Sequence, residues 1–105
     1  MFLEAHEKSM TTYDRLRQMR ARIREVARRH GVTDIRVFGS VARGEDSPES
    51  DVDFLVAVGG EPSSWFPAGL VLDLGELLGR PVEVVTEQGL DVSIRDRVLE
   101  EALVL

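Results

Sequence analysis

From Tyr13 to Ala27 the apolar residues Tyr13, Leu16, Met19, Ile23, Val26 and Ala27 recur at intervals of three and four. That spacing predicts one amphipathic helix over residues 10–30. Thr11 or Thr12 can cap its start, and Gly31 supplies its stop. The β-branched run Ile35–Phe38 then predicts a short strand, broken at Gly39. Ser40 can cap a helical turn that reaches Arg43, and residues 45–50 read as loop, with Asp46, Ser47 and Pro48 as turn residues. A second strand is expected over Asp51–Val58, closed by Gly59-Gly60. Residues 61–67 read as loop. Leu70, Leu74, Leu77 and Leu78 mark a helix over Ala68–Leu78 that Gly79 ends. Pro81 opens a third strand, Val82–Thr86. A last helix over residues 91–103 carries Ile94, Val98, Leu99 and Ala102.

The expected order is α-β-α-β-α-β-α. A helix between the second and third strands allows them to be parallel neighbours, whereas the short link between the first and second makes those antiparallel. The second strand has apolar residues on both faces beyond its first turn, which predicts a central position. The fold class is α/β (α+β): a small mixed sheet packed with helices.

Composition narrows the field. A chain of 105 residues is expected to form a single domain, residues 1–105. It has no cysteine, which rules out thiolate chemistry and thiolate metal sites. The opening MFLEAHEKSM lacks a basic and an apolar signal region, and no apolar run could cross a bilayer, so a cytoplasmic protein is expected. The net charge of −6 is unevenly spread: residues 1–36 hold nine basic side chains and five acids, whereas residues 37–105 hold four and fourteen. Overall acidity argues against direct nucleic-acid binding. The arginine-rich first helix reads as a solvated face or as a docking or nucleotide-steering surface.

Candidate chemistry sits in VFGSVARGEDSPESDVDFLV, residues 37–56. Asp51 and Asp53 would point the same way from a strand, with Cα atoms about 6.6 Å apart. Such a pair can converge on cations, or can cap backbone and pair with arginines. Glu83, inside the third strand, would face them if that strand lies alongside. Gly39 lets a phosphate approach the backbone, and Ser40 adds a hydroxyl and free amides. Arg43 can neutralise phosphate or pair with Glu45 or Asp46. Ser50 can bond phosphate, orient Asp51 or cap the strand. His6 and His30 lack metal-ligand spacing and read as surface residues. Trp65 and Phe66 read as core cover, and Tyr13 as packing. No paired Ser-His-Asp signature supports acyl chemistry.

The string Gly39-Ser40-x-x-Arg43-Gly44 followed by Ser50-Asp51-x-Asp53 resembles the signature of the DNA polymerase beta nucleotidyltransferase superfamily. Length and element order make the chain similar to its minimal nucleotidyltransferases. The resemblance implies a nucleotidyltransferase fold and transfer of AMP from ATP to a hydroxyl. It implies catalytic and metal-binding roles for Asp51, Asp53 and Glu83, with two Mg²⁺ ions (or Mn²⁺). It implies triphosphate binding at Gly39 and Ser40; the residue reading adds Arg43 and Ser50. The third acid of the family is often aspartate, so Glu83 departs by one methylene. The stand-alone group resembles antitoxins that adenylylate a tyrosine of HEPN-domain toxins. The resemblance therefore implies a toxin partner, in complex with it. A non-catalytic antitoxin that masks the toxin, or a transferase for a small-molecule acceptor, are the alternatives.

Overall fold

The computed structural model describes residues 10–105; His6 lies outside them. A capping box opens α1 (Thr12–Gln18): the Thr11 hydroxyl accepts from the Asp14 amide and the Asp14 carboxylate accepts from the Thr11 amide, each at 3.1 Å. The single helix expected here is interrupted at Met19, where φ is −98° and ψ 7°. The Met19 amide is divided between the carbonyls of Arg15 (3.2 Å) and Leu16 (3.0 Å). α2 (Arg20–Arg29) resumes at once. Met19 still packs against the core, so the apolar spacing runs through a break that spacing cannot reveal. The α1 and α2 arginines are exposed, and among the described residues Arg28 alone of them pairs, with Glu25 at 3.4 Å.

β1 (Val32–Phe38) starts three residues before the expected strand. It pairs antiparallel with β2 (Val52–Val58) from Val32↔Val58 to Phe38↔Asp53, with an irregularity between Val32 and Asp34. That interruption, at polar Thr33 and Asp34, hides the early part of the strand from an alternation count. Between them lies α3 (Ser40–Arg43), one turn whose N-cap is Gly39 rather than Ser40. α4 (Ala68–Leu78) and β3 (Val82–Thr86) match expectation. α5 spans Val92–Glu101 and ends in β4 (Leu103–Val104), a strand that two residues of pattern could not announce. The sheet order is β3-β2-β1-β4, with β2 parallel to β3 and antiparallel to β1. β2 is central, as both its faces require.

Those faces have separate duties. Val52, Phe54 and Val56 enter the larger core with Ile23, Leu70 and Leu74. Leu55, on the other face, packs with Leu90 and Val98 of the α5 side. Burying each such side chain stabilises by about 1.5–3 kcal/mol.

Two side chains, His30 and Trp65, depart from the sequence reading. His30 is not a surface residue: its side chain is 13% exposed, with Nδ1 2.8 Å from Ser63 Oγ and Nε2 2.7 Å from Asp73 Oδ2. Acyl-transfer triads put serine on Nε2 and aspartate on Nδ1, the reverse arrangement. The contact is a structural tie from the end of α2 to the loop between β2 and α4 and to α4 itself. Trp65 is 77% exposed rather than core cover, whereas Phe66 packs against the core. Tyr13 packs as expected and donates its hydroxyl to the Val104 carbonyl.

Arg80 is a further tie, between α4 and β3. It donates to the carbonyls of Ser47 (2.9 Å) and Ser50 (2.8 Å) and to Thr12 Oγ1 (3.2 Å), and it pairs with Asp46 at 3.2 Å. The Asp46 side chain is only 9% exposed. Arg80→Ala leaves that carboxylate and two carbonyls without their cation. It is expected to cost about 2–4 kcal/mol, read as a lower urea midpoint. Among the described residues no helix is long and apolar enough to cross a membrane.

Candidate active site

Asp53 is the second residue of β2, and strand register decides its surroundings. It stands opposite Phe38 of β1 and beside Glu83 of β3. The crossover through α4 makes β2 and β3 parallel, which brings two acids thirty residues apart onto adjacent strands. Asp51 lies just before β2 rather than inside it, and is exposed. The Val52 amide donates to the Pro81 carbonyl at 2.9 Å and fixes that entry.

The acids act on one another. Burial pushes the half-buried Asp53 carboxyl up, and the hydrogen bond and charge of Glu83 push it further, to about 6. Asp51 and Glu101 add to the shift through their charges. A carboxyl whose charged form is disfavoured by burial and by neighbouring acids is a place where a cation relieves repulsion. Among the described residues no three His, Cys, Asp or Glu side chains form a ready metal cage. Asp53 and Glu83, with Asp51 nearby, nevertheless fit a magnesium-type ion. Such ions take one or two carboxylates and complete their shell with phosphate oxygens and water.

Gly39 joins this pair to the turn. Its φ of 76° and ψ of −152° are essentially confined to glycine. A Cβ at this position would lie 2.3 Å from Asp53 Oδ2 and 3.2 Å from its Cγ. Glycine is therefore what lets the turn and the acid meet. Ser40 begins α3, whose first amides have no carbonyl one turn back within the helix.

Arg43 is 2.9 Å from Glu45 Oε1 through Nε and 2.7 Å from Glu101 Oε1 through Nη1. The expected surface pair with Glu45 is thus present. Ser50 serves the loop: its hydroxyl accepts from the Ser47 amide and bonds the Ser47 hydroxyl, both at 3.0 Å. The structure brings Gly39, Asp53 and Glu83 together and places Asp51 and Arg43 at the rim. The hydroxyl of Ser50 faces its own turn.

Sequence reasoning missed Glu101. Its Oε2 accepts the Gly39 amide at 2.6 Å while Oε1 holds Arg43. Burial pushes the Glu101 carboxyl up, but Arg43 and the Gly39 amide outweigh it and hold it below the ordinary glutamate range. One signal was available. Glu100 and Glu101 close α5 at the end where the helix dipole disfavours anions, so a local partner was required.

A glycine turn after β1, Asp51 and Asp53 at the entry to β2, and Glu83 beside Asp53 on a parallel strand are the arrangement that the sequence resemblance leads one to expect. Residues 19–105 match the family described as nucleotidyltransferase domain, and the chain belongs to that family. A relative from Thermococcus cleftensis, named protein adenylyltransferase MntA, is 40% identical over 80 residues, covering 76% of this chain and 81% of the relative. A solved structure described as a candidate minimal nucleotidyltransferase superposes with a TM-score of 0.78 at 42% identity, covering 92% of this chain and 99% of that one. A toxin–antitoxin crystal structure with AMP-PNP has a TM-score of 0.67 at 20% identity, over 78% of this chain and 68% of that one, a likeness of fold.

Proposed function

We propose that this nucleotidyltransferase is a protein adenylyltransferase that moves AMP from ATP to a protein hydroxyl. The observation that carries the reading is the Asp53–Glu83 pair seated against the Gly39 turn. Asp51, Asp53 and Glu83 would hold Mg²⁺ or Mn²⁺, which supplies charge neutralisation at the phosphates. Gly39 and Ser40 receive the triphosphate, and Arg43 offsets its charge. Ser50 acts only through the loop that delivers Asp51. The acceptor oxygen bonds to the α-phosphorus, the bond to the bridging oxygen breaks and pyrophosphate leaves. Glu83, exposed on the sheet edge, is placed to take the hydroxyl proton. A protein acceptor is supported by the name of the Thermococcus relative.

The finer reading is an antitoxin that modifies a tyrosine of a HEPN-domain toxin and stays in complex with it. It rests on the sequence signature, and the fold shared with a toxin–antitoxin protein is consistent with it. Incubation with labelled ATP, Mg²⁺ and the co-encoded protein tests it. The expected result is label on a tyrosine of that protein, lost in the Asp51→Asn, Asp53→Asn double variant. A double variant that still protects cells and leaves the toxin unmodified would mean neutralisation by masking. Label on a small molecule instead would overturn the protein acceptor.

A further inference from the structure

The corner assigned to phosphate already holds an anion. Glu101 of α5 reaches the Gly39 amide at 2.6 Å and the Arg43 guanidinium at 2.7 Å, one carboxylate oxygen on each. Its side chain is 19% exposed, whereas that of Arg43 is 47% exposed, so the amide side of the contact is the more sheltered one. A concavity of about 510 Å³ adjoins it, its lining including Phe38, Gly39, Arg43, Ile94, Arg97 and Glu101. That volume lies within the range of small-ligand pockets, roughly 300–1,000 Å³. The Arg43 guanidinium and a backbone amide holding one carboxylate, with the charge of Arg97 nearby, form an anion site whose occupant is part of the chain.

We propose that Glu101 is a built-in competitor for the nucleotide phosphate, holding the Gly39–Arg43 corner in the free protein and leaving it when a triphosphate binds. The inference rests on reading that turn as the triphosphate site. An amide has one hydrogen, so the Gly39 N–H cannot serve Glu101 and a phosphate oxygen fully at once. A carboxylate beside an arriving polyphosphate also repels it. Withdrawal leaves Arg43 with its second partner, Glu45, and with the phosphate itself. Glu101 lies at the last residue of α5, next to the extended Ala102 (ψ 134°), where one side-chain rotation can take it off the turn without unwinding the helix. The residue thereby sets how much ATP is needed to fill the site.

Glu101→Gln keeps the shape and removes the charge. Calorimetric titration with Mg²⁺ and a non-hydrolysable ATP analogue is expected to show binding about 5–10-fold tighter than in the unaltered protein, the scale of one lost charge-assisted contact. Equal or weaker binding by a variant with an unchanged melting curve overturns the proposal and leaves the nucleotide site standing. Failure of the unaltered protein to bind the analogue at all overturns both. Should the variant not fold, the unaltered protein decides. On titration with inorganic tripolyphosphate, the Glu101 carboxyl carbon and the Gly39 amide resonances are expected to shift together. A Glu101 resonance that stays put while Gly39 moves overturns the proposal.

Discussion

Replacing Asp53 with asparagine is expected to lower adenylyl transfer by about 10²–10³-fold, the scale of losing one preorganised electrostatic group. It should also make the metal-free protein more stable at pH 8. The two effects share a cause. In the folded state the carboxyl titrates at about 6, against 3.8 for an ordinary aspartate, because burial and then Glu83 disfavour its charge. Between those values the folded chain holds a proton that the unfolded chain has released. Stability that is present below pH 3.8 is therefore lost as pH rises through 6. Asparagine has no charge to repel and can donate to Glu83. Allowing for the water that reaches this half-buried group, the variant should melt a few degrees higher at pH 8, since about 1 kcal/mol moves a domain this size by about 4–8 °C. At pH 4 the gap should close. Melting curves across this range, with and without Mg²⁺, measure it, and Mg²⁺ should stabilise the unaltered protein more than the variant. A variant less stable than the unaltered protein at pH 8 would contradict the electrostatic account of the pair.

Gly39→Ala is expected to damage both fold and chemistry. The backbone there has φ 76° and ψ −152°, where a side chain costs about 1–3 kcal/mol. The added methyl would also start 2.3 Å from Asp53 Oδ2. One of them must move, and either movement opens the turn away from the acid. A loss of about 2–4 kcal/mol in urea unfolding is expected, with activity falling at least as far as in Asp53→Asn. Gly44→Ala makes a useful contrast. It shares a positive φ (72°) but meets nothing within 4 Å, so it should show the backbone cost alone and spare the acid pair.

The parts of the molecule legible from the chain were those set by local period and by topology. The leucine spacing of α4 and the β-branched run of β3 gave their boundaries, because nothing tertiary competes with either pattern. The placement of Glu83 beside Asp53 followed from a crossover argument alone. What escaped depends on contacts far apart in sequence. Ser63 and Asp73 lie 33 and 43 residues from His30 and turn a polar helix end into a part-buried tie. Glu101 is 62 residues from Gly39, and its place at the C-terminal end of a helix signals a partner without naming which. Trp65 went the other way: its size suggested burial, but the loop turns it outward. Asp51 falls outside the strand because residues 47–50 form a turn, held by Arg80, that delays pairing until Val52.

The alternation along β2 also bears on how the chain finds its fold. Even-numbered residues fill the main core, and Asp53 faces the other way. A pairing error of one residue would drive that carboxylate in among Ile23, Leu70 and Leu74, where a lone charge has neither water nor a partner. Chains that begin to zip incorrectly would thus be rejected before they settle. The carboxylate proposed to hold the metal would also guard the register in which the sheet assembles.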